Sequence, residues 1–129
     1  MRMRVILVVG AFSELLGCSS NSFTYTGGMG GSNVCTSTAT QVCMMNLAFS
    51  PSNLTIAQGT TVTWKNGDAV NHTVTSAIGS ADTINSGFIA GGGAFGHTFA
   101  KHGTFSYYCT IHGVDGSPPT GMHGTITVN

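Results

Sequence analysis

From about residue 40 onward, apolar and polar positions alternate in short runs separated by turn-forming residues. In Thr61-Val62-Thr63-Trp64-Lys65, Val62 and Trp64 fall on one side and the threonines and lysine on the other, and the run stops at Asn66-Gly67-Asp68. That is the period of a half-buried strand followed by a turn. Phe105, Tyr107 and Cys109 share a face of another strand, opposite Ser106 and Tyr108, and Ile126 and Val128 mark the core face of a last one. Leu54-Thr55-Ile56, His72-Thr73-Val74 and the run from Phe95 to Phe99 supply further strands, with turns at Gly91-Gly92-Gly93 and His102-Gly103. No stretch combines helical periodicity with capping residues, and no internal repeat is visible. The pattern predicts an all-β domain, a Greek-key β-sandwich of seven to eight strands.

Upstream of these strands the pattern changes. Met1 to Arg4 form a short basic start, and Val5 to Phe12 an apolar run too brief to cross a bilayer, which reads as an export signal over residues 1–17. Leu15-Leu16-Gly17-Cys18 looks like a bacterial lipobox, so the expectation is cleavage before Cys18, lipidation of its sulfur and attachment to a membrane. Glu14 is unusual so close to a cleavage site, and ordinary secretion or an uncleaved anchor are the alternatives. Residues 18–34 are small, polar and glycine-rich, as expected of a flexible tether with a reach of roughly 20 to 24 Å. Residues 35–129 then form the single folded domain, since 129 residues with 41% hydrophobic content allow one core but not two.

Charge narrows the partners. Only 6% of residues are charged and the formal net charge is zero. Loss of the first 17 residues leaves Lys65 and Lys101 against Asp68, Asp82 and Asp115, close to minus one. Nothing here grips a phosphate backbone, and nucleic acid is not an expected partner. A monomer is expected.

Candidate chemistry is concentrated in Tyr108-Cys109-Thr110-Ile111-His112, followed after a gap by Gly121-Met122-His123-Gly124. A thiolate, an imidazole and a thioether gathered at one end of a sandwich form a soft ligand set that needs only a second imidazole, and His72 can supply it. Even spacing places Met122 on the face of Gly124, Ile126 and Val128, and His123 on the other, so Met122 is the inward residue of the two. Met122 as plain core filler is the alternative. His97 reads as a hydrogen-bonded strand residue and His102 as a solvated turn residue. No hydrolytic triad, carboxylate pair or phosphate-cradling loop stands out.

These segments, with Phe49-Ser50-Pro51-Ser52-Asn53-Leu54 running into Gly59-Thr60-Thr61-Val62-Thr63-Trp64, make the chain from about Asn46 to Val128 resemble the plastocyanin and pseudoazurin group of cupredoxins. The resemblance implies one copper ion held by His72, Cys109, His112 and Met122, with electrons passing through the exposed edge of His112. It implies an electron carrier with no substrate of its own, and the export signal leads to an expected location outside the cytoplasm, in the periplasm or at the cell surface. Its partners would be redox proteins docking transiently near His112. A copper-storage or copper-delivery lipoprotein is the rival reading, and a reductase or oxidase unit a weaker one. With Cys18 and Cys109 assigned, Cys35 and Cys43 are left as a disulfide in an oxidising compartment, or as two free thiols.

Two departures from the family pattern stand out. Residues 113–121 separate His112 from Met122 by several more residues than usual, and Thr73 stands where the family often has asparagine. The expectation at Thr73 is a weaker link, to Thr110, between the two ligand segments.

Overall fold

A computed structural model describes residues 34–129, all β and turn, with no helix among the described residues. The export signal, the lipidation at Cys18 and the tether expected from the sequence fall on residues up to 33 and lie outside the described residues. Eight strands follow in order: β1 (Gln41–Met45), β2 (Ala48–Ser50), β3 (Asn53–Ile56), β4 (Thr61–Asn66), β5 (Thr75–Ser76), β6 (Ala94–Thr98), β7 (Gly103–Val114) and β8 (Thr120–Val128). They form two four-stranded sheets, ordered β2-β1-β4-β6 and β3-β8-β7-β5. The expected β-sandwich is therefore present. Two pairings inside it are parallel, β1 with β4 and β3 with β8.

Alternation predicted β4, β7 and β8 well because each buries one face. Along β8, Met122, Gly124, Ile126 and Val128 are buried and their neighbours are not. Gly124 is required on that face, because a Cβ there would overlap the phenol of Tyr107. Trp64 is the hub of the core. Its ring meets Tyr107 edge-on at 5.3 Å and lies 6.0 Å from Phe95 and 6.3 Å from Phe99, so β4, β6 and β7 are joined by aromatic contacts across the sandwich.

β1 lacks the alternation that marks β4, β7 and β8, and its packing explains why. Val42 and Met44 face the core, while Cys43 on the opposite face is buried by its disulfide with Cys35, so three consecutive positions are covered. Alternation vanishes when both faces are shielded.

His72-Thr73-Val74, expected as a strand, is not one. His72 makes a single bridge with Ile89, the Thr73 N–H points at the Cys109 sulfur, and the Val74 N–H donates to the Ser86 hydroxyl. Side chains have taken the donors that a ladder needs. Only Thr75 and Ser76, just beyond, pair with β7. Gly103, expected in a turn, opens β7.

His97 lies on β6 and its Nε2 pairs with Asp82 Oδ2 at 2.8 Å, fastening the 77–85 segment to the first sheet. The hydrogen bond from His97 holds the Asp82 carboxyl below its ordinary value of 3.8, against the opposing effect of burial, with help from the Thr83 N–H and the charges of His97 and Lys101. A carboxylate with a lowered folded-state pKa stabilises the fold above 3.8 and loses that contribution as pH falls through the lower value. Asp82→Asn should therefore cost stability at neutral pH, with the gap to wild type closing only below about pH 4. Denaturant unfolding of both proteins across acid pH checks this. A gap that does not narrow in acid would contradict it.

Candidate metal centre

The site begins with a miscount between two strands. β7 and β8 pair regularly from Gly103 opposite Val128 to Tyr108 opposite His123, and pairing resumes at Gly113 opposite Gly121. Between those points residues 109–112 of β7 face only Met122 of β8. The surplus leaves the ladder as a bulge, and that bulge is Cys109-Thr110-Ile111-His112. Residues expected to form a long loop after His112 instead extend the hairpin, with Val114 opposite Thr120. The remaining turn is held by Asp115, whose carboxylate accepts from the N–H groups of Ile78 and Gly116 at 2.8 Å each.

Two glycines close the bulge. A Cβ on Gly113 would sit 2.8 Å from the Met122 carbonyl oxygen and 3.0 Å from that of Cys109, and one on Gly121 would sit 2.8 Å from the His112 carbonyl oxygen. Gly121 also has φ +72°, a region that side-chain-bearing residues rarely adopt. The backbones approach as closely as they do only because neither residue has a side chain.

His72 arrives from the other side, 0% exposed, at the end of the segment that leaves β4. Its Nδ1 lies 3.1 Å from Nδ1 of His112, and the Cys109 sulfur is 3.8 Å from the first and 3.6 Å from the second. One ligand atom from each of these three residues thus lies within 4.8 Å of the others. Met122, 2% exposed, is the buried residue facing the bulge, and its neighbour His123 points outward with Nδ1 on the Gly121 carbonyl. His97 and His102 stand apart from this cluster. His97 belongs to Asp82, and His102 is exposed.

Hydrogen bonds orient the cluster. His72 Nε2 is 2.8 Å from Asp68 Oδ2. A carboxylate only accepts, so Nε2 carries the proton and Nδ1 presents a lone pair to the centre. Burial disfavours the Asp68 charge, but the N–H groups of Asn46 and Leu47 and the His72 ring outweigh it, and the carboxyl is held below its ordinary value of 3.8. The Thr73 N–H donates to the Cys109 sulfur at 3.4 Å, a contact that stabilises negative charge on it. Thr73 Oγ1 also accepts from the Thr110 N–H at 2.8 Å and meets the Thr110 hydroxyl at 3.1 Å. The expected Thr73 to Thr110 link is thus made, and it includes a backbone donor.

Sequence reasoning missed Asp68 and the glycine pair. In the sequence Asp68 stands out only as part of the turn Asn66-Gly67-Asp68, although an acid four residues before a candidate ligand histidine is a usable signal. Gly113 and Gly121 carried no signal until pairing was known.

Two imidazole nitrogens and a sulfur aimed at one point, with a thioether residue alongside, suit copper better than a hard cation, which would want oxygen ligands. Comparison with known proteins agrees. The family described as copper binding proteins of the plastocyanin/azurin family matches residues 36–129, well over half of the chain. Plastocyanin of Scenedesmus fuscus is 33% identical over 94 residues, which are 64% of this chain and 87% of that one. Chloroplastic plastocyanin of Fritillaria agrestis is 35% identical over 97 residues, 65% of this chain, which spans only 54% of that relative's length. Among solved structures, an oxidised amicyanin variant superposes with a TM-score of 0.59 at 27% identity, covering 69% of this chain and 80% of the other. A copper-containing nitrite reductase from Thermus scotoductus SA-01 does so with the same score and identity, but only 22% of its chain is covered. The bulge with its three converging donors, the sandwich that carries it and the matched family lead to one conclusion: this chain belongs to the plastocyanin/azurin family of copper-binding cupredoxins.

Proposed function

We propose that this chain is a carrier of single electrons between redox partners outside the cytoplasm, with His72, Cys109 and His112 as strong ligands of one type 1 copper ion and Met122 as the weak axial one. The observation that carries the reading is the convergence of the two Nδ1 atoms and the Cys109 sulfur, 3.1 to 3.8 Å apart. Copper bound there supplies a one-electron couple between its two common oxidation states. The protein's contribution is to hold the donors in place in both states, and each donor is braced for it. The His72 ring is tied at Nε2, the sulfur receives the Thr73 N–H, and Thr110 is bonded to Thr73. A site that hands metal to another protein favours open, exchangeable ligands, whereas Cys109 and His72 are fully buried. This favours the carrier over the delivery reading. An enzyme role would require ligands or substrate contacts beyond this cluster, and the nitrite reductase similarity covers a small part of that protein.

His112 is the half-buried member of the set, with the exposed apolar residues Ile111, inside the bulge, and Val114, just after it, on either side. Transient partners would dock on this small uncharged surface and exchange electrons through the His112 edge. The signal and Cys18 support a location in the periplasm or at the cell surface, with residues 18–34 as a lipid-anchored tether.

Cys109→Ser tests the reading, because thiolate charge transfer is the source of a blue colour. Copper-loaded wild type should show intense visible absorption that ascorbate bleaches reversibly, and the variant should stay folded and colourless. An intensely blue Cys109→Ser protein, or a wild type without the band, would end the assignment. The axial assignment is separable. Met122→Gln should keep copper and lower the reduction potential, while His123→Ala leaves spectrum and potential nearly unchanged. Cyclic voltammetry with the reverse outcome would move the axial role to His123.

A further inference from the structure

The strongest feature outside the ligands themselves is the position of Asp68. Its carboxylate joins His72 to the turn between β1 and β2. Oδ2 meets His72 Nε2 at 2.8 Å, while Oδ1 accepts from the Asn46 N–H at 2.8 Å and Oδ2 from the Leu47 N–H at 3.1 Å. Asn46 and Leu47 form the two-residue turn between β1 and β2, and both have positive φ, 54° and 57°. Such a hairpin turn requires that backbone and favours glycine at its second position, so Leu47 there is strained. Hydrogen bonds to a charged acceptor are stronger than those to a neutral one, and the two from this turn to Asp68 offset that strain.

Asp68 is itself held from behind. Its N–H donates to Asn66 Oδ1 at 2.9 Å, and the buried Asn66 amide donates to the carbonyls of Val70 and Ile89 at 2.8 Å each. Ile89 in turn exchanges both backbone hydrogen bonds with His72, at 2.8 and 3.1 Å. Asp68, Asn66, Ile89 and His72 thus close a ring in which the imidazole has no free rotation.

We propose that Asp68 is the positioning residue for His72: it fixes the proton on Nε2, ties the ring to the β1–β2 turn, and sets a negative charge against this ligand. The role deepens the copper reading and rests on it for its second consequence. A carboxylate next to a ligand imidazole makes that ligand a stronger donor and favours the more positive oxidation state of the metal, so it lowers the reduction potential. Removing the charge while keeping an acceptor should do the opposite.

Two variants and two readouts test this. In the metal-free wild type, nitrogen-15 shifts of the His72 ring should show one form, protonated at Nε2. Asp68→Ala should turn this into a mixture of both tautomers in a protein whose spectrum still shows folded dispersion. Asp68→Asn retains an acceptor, so His72 should remain protonated at Nε2, but the ratio of Cu(I) to Cu(II) affinity should rise on the order of tenfold, which is about 59 mV in potential. If Asp68→Ala does not fold, Asp68→Asn alone decides through the potential. Wild-type His72 protonated at Nδ1, an unchanged tautomer in folded Asp68→Ala, or an unmoved potential in Asp68→Asn would each overturn the proposal. The metal-free measurement is independent of copper, so its success beside a wild type that forms no blue site would count against the electron-carrier reading and not against this one.

Discussion

Four residues of β7 facing one residue of β8 is the constraint on which the site depends. A ladder that absorbed residues 109–112 would alternate their side chains between the core and solvent, and Cys109 and His112, three apart, would then face opposite sides. The bulge breaks that parity. It turns the Cys109 sulfur and His112 Nδ1 to within 3.6 Å of one another and leaves Met122 buried on the strand opposite. The ladder must close again for the geometry to hold, and it closes at Gly113 and Gly121, where backbone atoms occupy the space any side chain would need. The extended hairpin beyond them, pinned by Asp115 to Ile78, supports the closure from outside.

The second half of the site comes from the other sheet. β4 is fixed in the core by Trp64, and its last residue, Asn66, is fully buried. From that point a relay of short-range hydrogen bonds runs through Asp68 to His72, and Thr73 then bonds to both Cys109 and Thr110. No single bond here is worth more than a few kcal/mol. Their effect is geometric, because each removes a rotation from a donor that a redox site needs held still. A ligand set that does not rearrange between oxidation states lets an electron enter and leave at low cost, which is what the proposed carrier role asks of this rigid sandwich.

Much of this was legible in the sequence. Cys109, His112 and Met122 stand in order near the end, His72 follows the turn after the clearest strand, and the inward side of β8 follows from the even spacing of Met122, Ile126 and Val128. What was not legible depends on partners distant in the chain. The strand expected at His72 to Val74 fails because Ser86 and Cys109, far along the sequence, take its donors. β1 shows no alternation to delimit it because Cys35 shields its second face. The long segment after His112 read as a loop, since only the pairing of Gly113 with Gly121 shows it to be a continued hairpin. Asp68 looked like a turn residue because turn and ligand support are the same residue here.

X-ray absorption at the copper edge, on the copper-loaded protein in both oxidation states, reads the ligand set and its response to reduction. One close sulfur and two imidazole nitrogens are expected around the metal, with the same ligands retained on reduction and only small changes in distance. Absence of a close sulfur, or loss or exchange of a ligand when the metal is reduced, would contradict it.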